Sequence, residues 1–219
     1  MGLIAIGDIH GCARTLDALL ERLAPAPEDH LVFVGDYVDR GPDSRGVIAR
    51  LLDVREQHRC TFLRGNHEAL MLDYLDHGQY DLWYVNGGGA TLESYRDRQG
   101  HIAIPDEHEA FVRQTQLFLD TPDFFFVHAG LRPELTVAEN VARNDPMVFL
   151  WERDHLHAKA LAWEKPVVCG HTPVVEPVNE PLLINIDTGC VYFDRGRGLG
   201  RLTAVRLPER EFVSVPYAG

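Results

Sequence analysis

At 219 residues the chain has the length of a single domain, 1–219, with a sizeable core, and nothing in it marks a second. Hydrophobic residues at 45% and charged residues at 25% exclude a disordered or fibrous chain. The formal net charge of -12 excludes a general nucleic-acid binder, because affinity for a phosphate backbone comes largely from lysine and arginine neutralising it.

The start, Met1-Gly2-Leu3-Ile4-Ala5-Ile6, has no basic region ahead of its apolar run, so a strand is expected here and a signal peptide is not. Ile6 also stands where a myristoylation signal needs Ser or Thr. No apolar run approaches the roughly 20 residues that span a bilayer, so no membrane partner is expected and the cytosol is the expected compartment. Cys12, Cys60, Cys169 and Cys190 are scattered beside apolar runs and read as small buried hydrophobes.

In chain order, the first strand ends in Gly7-Asp8-Ile9-His10-Gly11. Ala13, Leu16, Leu20 and Leu23 then recur at helical spacing, so residues 12–24 read as an amphipathic helix that Pro25 and Pro27 stop. The apolar run Leu31-Val32-Phe33-Val34 reads as a second strand and empties into Gly35-Asp36-Tyr37-Val38-Asp39-Arg40-Gly41. A helix follows Asp43-Ser44, with Ser44 as its expected N-cap and Val47, Ile48, Leu51 and Leu52 on one face. Cys60-Thr61-Phe62-Leu63 is the third strand and ends in Arg64-Gly65-Asn66-His67-Glu68.

Residues 68–120 read as mostly helical. Leu70, Met71, Tyr74 and Leu75 form one apolar stripe, and Phe111, Leu117 and Phe118 another over 107–119. Gly87-Gly88-Gly89 is expected to open a helix, the alternative being an anion cradle of free backbone N–H groups. The strand Phe124–Val127 ends in His128-Ala129-Gly130, and Pro166–Cys169 ends in Gly170-His171-Thr172. Between them, residues 131–164 read as an irregular cap. His155 and His157 in that cap, and His30, His58, His77, His101 and His108 elsewhere, read as exposed polar residues. The tail is expected to form a largely antiparallel sheet from 182–186, 201–207 and 211–215. Asp187-Thr188-Gly189 reads as a hydrogen-bonding element near the site, and Asp194-Arg195-Gly196-Arg197-Gly198 as a mobile basic loop that touches substrate.

Five strand ends thus present oxygen and imidazole ligands with glycine beside them. Two Asp, one Asn and three His are too many and too oxygen-rich for one tetrahedral zinc, but suit two divalent ions that share a carboxylate. Two such ions, on the order of 3.5 to 4 Å apart, clamp a phosphoryl group for in-line displacement. Hydrolysis at phosphorus is the chemistry these residue types suit best.

The motifs GDxHG, GDxxDRG and GNHE stand here as Gly7–Gly11, Gly35–Gly41 and Gly65–Glu68, followed by His128-Ala129-Gly130 and Gly170-His171. Over about residues 1–190 the chain resembles the phosphoprotein phosphatase family of calcineurin-like metallophosphoesterases. The resemblance implies an α/β, four-layer metallophosphoesterase fold, a central β-sandwich of mixed sheets flanked by helices. It implies one metal held by Asp8, His10 and Asp36, and a second by Asp36, Asn66, His128 and His171, with Asp36 bridging. Two divalent ions follow, Mn2+ first, although Fe, Zn or Co suit the same donors. His67 resembles the general acid and Asp39 the carboxylate that orients it. Arg40, Arg153 and Asn66 resemble the groups that hold the phosphate.

From this the first functional reading is a serine/threonine protein phosphatase that acts on a phosphoprotein or phosphopeptide, as a monomer, by attack of a metal-bridging hydroxide. The second is a dinucleoside polyphosphate hydrolase on the same metals, of the diadenosine tetraphosphatase type, with Trp83, Tyr84 or Trp151 as stacking residues. A non-catalytic scaffold is disfavoured, since every ligand type is present together with His67, Asp39 and two arginines.

Overall fold

Strand residues alternate between two apolar environments, and that alternation builds the layers. A computed structural model describes residues 2–196 and 198–219. The strands and helices are β1 (Leu3–Ile6), α1 (Ala13–Leu23), β2 (His30–Phe33), α2 (Ser44–Gln57), β3 (Arg59–Phe62), α3 (Asn66–His77), α4 (Tyr80–Trp83), α5 (Gly89–Ser94), α6 (Asp106–Arg113), β4 (Phe118–Asp120) and β5 (Phe125–Val127). They continue with α7 (Val137–Arg143), α8 (Pro146–Trp151), β6 (Val167–Cys169), β7 (Val178–Asn179), β8 (Leu183–Asn185), β9 (Arg201–Leu207) and β10 (Glu211–Pro216).

Two five-stranded sheets form, in the orders β10-β9-β1-β2-β3 and β4-β5-β6-β8-β7. β1, β2 and β3 run parallel, and β9 pairs antiparallel with β1. β5, β6 and β8 run parallel in the second sheet. Ala5, Val32, Phe126, Val168, Ile184 and Val205 pack together between the sheets. Their neighbours Ile4, Ile6, Leu31 and Phe33 point the other way, onto the helices that cover the first sheet. Phe125, Val127, Val167 and Cys169 do the same beneath the second sheet, against Val137, Phe149 and Trp163. Strands buried on both faces are why these runs are continuously apolar instead of alternating. The result is the mixed α/β sandwich with helical outer layers that the resemblance implied.

Three local expectations differ from the structure. Asp43, not Ser44, caps α2, accepting from Gly46 N at 2.7 Å, which leaves the Ser44 hydroxyl free to turn inward. The stripe over 107–119 is helical only to Arg113. Beyond it Gln116 N donates to Phe62 O at 2.9 Å, the chain becomes extended, and Phe118 stacks on Phe125 as part of β4. The tail does not form one sheet, because β8 joins the second sheet in parallel with β6, while β9 and β10 extend the first. Arg197, in the expected basic loop, lies outside the described residues.

Candidate metal centre

Parallel strands bring their C-terminal ends to one edge of each sheet, so the loops after β1, β2, β3, β5 and β6 meet. Backbone hydrogen bonds join them: His10 N donates to Asp36 O at 2.8 Å, Gly11 N to Tyr37 O at 2.8 Å, and Gly170 N to His128 O at 2.8 Å. Left-handed φ values of 46° at His10, 54° at Asp36, 72° at Asp39, 68° at Arg40 and 68° at His171 put five non-glycine site residues in a region that costs about 1–3 kcal/mol each. The fold holds that strain where it aims side chains. At Gly35 only glycine fits, since φ is 108° and a Cβ would lie 2.6 Å from Gly65 N and 2.9 Å from His128 Nδ1.

Asp36 sits at the centre. His128 Nδ1 donates to Val34 O at 2.9 Å, so its Nε2 carries a bare lone pair, and that lone pair faces Asp36 Oδ1 at 3.4 Å and His171 Nδ1 at 3.2 Å. His10 Nδ1 likewise donates to Val38 O at 2.9 Å, leaving an Nε2 lone pair 3.4 Å from Asp36 Oδ2 that accepts from the Arg40 guanidinium at 2.6 Å. Asn66 Oδ1 lies 3.0 Å from both His128 Nε2 and His171 Nδ1. Asp8 Oδ2 accepts from His171 N at 3.0 Å, while Asp8 Oδ1 and His171 Nε2 are buried with no partner among the described residues. Lone pairs that face one another in a buried site call for a cation. Two groups of donors lie within 4.8 Å, His10-Asp36-His67 and Asp36-His128-His171, and Asp36 is common to both.

Charge makes the same demand. Asp8, Asp36, Glu68 and Asp187 are all buried together. Burial and the charges of Asp187 and Asp36 push Asp8 well above the ordinary carboxylate range, and burial drives Asp187 up to about 7. Burial, reinforced by His128, drops His171 to about 2. Divalent ions relieve this crowding of acceptors and anions. Of the six predicted ligands, Asp36, Asn66 and His171 line one pocket, while His10 and His128 lie against Asp36 and Asp8 against the His171 backbone. Within the described residues, His67 stands in the first donor group and Asp8 lies just outside both.

His67 Nδ1 pairs with Asp39 Oδ2 at 2.6 Å, and its Nε2 is buried without a partner among the described residues. Burial lowers the imidazole's pKa, but the Asp36 charge and the Asp39 hydrogen bond outweigh it and hold His67 above its ordinary value. Asp39 is itself fixed by three groups with no motif of their own. Trp83 Nε1 donates to Asp39 Oδ2 at 2.9 Å, Thr91 Oγ1 donates to Asp39 Oδ1 at 2.6 Å, and Asp39 N donates to Ser44 Oγ at 3.1 Å. Trp83 is therefore buried support for Asp39, not a stacking surface. Glu68 accepts from Asp36 N, Tyr37 N and Gly65 N, each at 2.8 Å, and so ties the second and third motifs together.

Arg40 and Arg153 both line the catalytic pocket, with Asn86, Trp151 and Tyr192. The glycine run shapes this pocket by close packing. Gly87, with φ 107°, accepts from Arg40 N, and a Cβ there would lie 2.7 Å from Arg40 Cγ. Gly88 packs under the Trp83 ring and Gly89, which opens α5, under Tyr84, while Gly87 leaves the helical conformation and lines a cavity beside Arg40.

Three histidines expected at the surface are buried instead. His30 meets Thr61 Oγ1 at 2.9 Å and His108 meets the Tyr95 hydroxyl at 2.8 Å, so each polar ring finds one partner. His155 packs against Gly130 and Trp163, and neither ring nitrogen has a partner among the described residues. Burial pulls His155 down to about 4, from an ordinary 6.5. A group lowered on folding contributes stability that is complete above pH 6.5 and is lost as pH falls toward 4. Wild type is expected to lose about 2 kcal/mol more than His155→Leu between pH 7.5 and 5, read by urea unfolding at both pH values. Equal losses would mean that His155 takes up its proton without unfolding.

A sandwich with buried Asp, Asn and His donors converging at its strand ends defines a metallophosphoesterase. The model of the calcineurin-like phosphoesterase family matches residues 1–201, and the chain belongs to that family. Bis(5'-nucleosyl)-tetraphosphatase PrpE [asymmetrical] of Oceanobacillus iheyensis is 30% identical, over 98% of this chain and 92% of that protein. The protein of the same name from Geobacillus sp. (strain WCH70) is 32% identical, over 99% and 94%. A crystal structure assigned as a diadenosine tetraphosphatase superposes with a TM-score of 0.72 at 28% identity, covering 100% of this chain and 94% of the other. These similarities overturn the first functional reading, that of a serine/threonine protein phosphatase acting on a phosphoprotein. The motifs describe chemistry at phosphorus that both activities share, and they are silent on what the phosphorus is attached to.

Proposed function

We propose that the protein hydrolyses dinucleoside tetraphosphates asymmetrically, releasing a nucleoside triphosphate and a nucleoside monophosphate. One observation carries the reading beyond likeness to relatives so named. The pocket beside Asp36 is small, about 110 Å³, and it shares lining residues with each of two larger cavities that share none with one another. Arg40, Asn86 and Tyr192 also line a cavity of about 440 Å³, while Trp151 and Arg153 also line one of about 320 Å³. A phosphoryl-sized centre between two larger arms suits a phosphate chain with a nucleoside at each end.

Asp8, His10, Asp36, Asn66, His128 and His171 would hold two divalent ions, with His67 close enough to join them. Such ions, when bound, neutralise phosphoryl oxygens and lower the pKa of water. The chain supplies the rest. Arg40 and Arg153, one at each end of the pocket, grip the phosphate chain with planar guanidinium forks and keep it in line. His67, held by Asp39, donates its Nε2 proton to the departing phosphate oxygen. In the larger cavity Arg40 and Arg195 outnumber Asp194, which offsets the chain's overall negative charge where an anionic substrate would enter.

The test is kcat/KM, with Mn2+ supplied, on diadenosine tetraphosphate, on phosphoserine and phosphothreonine peptides, and on a simple phosphomonoester. A preference of at least tenfold for the dinucleotide is expected, with ATP and AMP as products. Preference for a peptide, or two ADP as products, would overturn the proposal.

A further inference from the structure

The larger arm has a lining that phosphate does not need. Phe193 and Tyr217 stack face to face, their ring centroids 3.7 Å apart and 4° from parallel. Phe193 is 50% exposed and lines the cavity with Tyr192 and Tyr217. Val85, on the same cavity, is 77% exposed. Apolar groups this open gain most when something flat and apolar covers them. Arginine completes the lining. Arg195 lies 4.5 Å and Arg40 5.7 Å from the centroid of the Tyr192 ring, so two guanidinium groups pack on one aromatic ring.

We infer that this cavity is a nucleoside subsite in which the base of one nucleotide stacks on the Phe193–Tyr217 pair, while Arg40, shared with the catalytic pocket, takes the first phosphate. The inference rests on the proposed dinucleotide substrate for its orientation, and it adds the residues that read the base. The cavity's volume of about 440 Å³ falls in the range of small-molecule sites and admits a purine with its ribose. Stacking of a base on an aromatic ring tolerates any base, so purine nucleotides are expected to bind with little discrimination between adenine and guanine.

Calorimetric titration of the Mn2+-loaded protein with AMP, and separately with ribose 5-phosphate, tests the subsite without turnover. AMP is expected to bind at least tenfold more tightly. Phe193→Ala should remove that preference and leave the affinity for ribose 5-phosphate within twofold, which also reports that the variant is folded. Should Phe193→Ala fail to fold, Phe193→Leu, which keeps a bulky apolar side chain but removes the aromatic face, should lose most of the preference. Equal binding of AMP and ribose 5-phosphate by wild type overturns the subsite, as does full retention of the preference in the folded variant. A wild type that prefers AMP yet leaves diadenosine tetraphosphate intact supports the subsite and refutes the hydrolase reading. A wild type that cleaves the dinucleotide with no preference for AMP does the reverse.

Discussion

Asp36→Asn is expected to lower kcat/KM on diadenosine tetraphosphate by about 10³-fold or more, some 4 kcal/mol of transition-state stabilisation. It is the residue whose carboxylate stands in both donor groups, with Oδ1 3.4 Å from His128 Nε2 and Oδ2 3.4 Å from His10 Nε2. Asparagine keeps the shape, and the Oδ1 that accepts from His67 N at 3.2 Å, while removing the charge. The size of the stability loss should therefore depend on metal. Without ions, burial opposes the Asp36 charge but the imidazoles of His128, His67 and His10 outweigh it and hold the carboxyl well below its ordinary range, so the variant's Tm should fall modestly. With Mn2+ present, wild type gains the mass-action stabilisation of a bound ligand and the variant gains much less. Metal analysis and paired thermal melts read both effects. Two ions per chain and an undiminished Mn2+-induced rise in Tm would show that Asp36 does not bridge.

Such a residue can be found in sequence because its neighbours advertise it. Each of the five strand ends carries its predicted ligand within five residues of an apolar run and within two residues of a glycine, so proximity in sequence stands in for proximity in space. The helices were legible for a similar reason, the spacing of Leu16, Leu20 and Leu23 matching the buried face of α1. Where partners are distant, that reasoning fails. Thr91 and Trp83 hold Asp39 from 52 and 44 positions away, and nothing local separates them from ordinary core residues. His155 and His157 share one short segment, yet the first packs under Trp163 and the second stays exposed, a distinction made by the second sheet's cover. Phe118 keeps helical spacing from Phe111 but is captured by Phe125. The two larger cavities were hidden in the same way. Their linings come from segments around residues 85, 153, 193 and 217, which meet only after folding.

His67→Asn divides two roles that the geometry offers this side chain. As a general acid, held by Asp39 at 2.6 Å with its Nε2 unpaired among the described residues, it matters in proportion to the basicity of the leaving group. The leaving group of a dinucleoside tetraphosphate is a phosphate oxygen, a far weaker base than an alkoxide. The expected loss in kcat is about 10- to 10²-fold on diadenosine tetraphosphate, small for a general acid, and about 10³-fold or more on an alkyl ester of a nucleotide. Metal content should stay at the wild-type level. If His67 instead serves as a metal ligand, as its place beside His10 and Asp36 permits, the variant should lose metal and slow every substrate by the same factor. Trp83→Phe supplies an independent check, because it removes the N–H that holds Asp39 while keeping an aromatic ring, though a smaller one, in the same buried place. A weakened acid predicts a loss of about 3- to 10-fold that is again larger on the alkyl ester, since a hydrogen bond to the Asp39 carboxylate, of about 1.5–3 kcal/mol, is at stake and acts on the acid only through Asp39. Uniform losses across substrates in both variants would assign the His67–Asp39–Trp83 chain to holding the site's shape, and would leave the departing oxygen to be stabilised by charge alone.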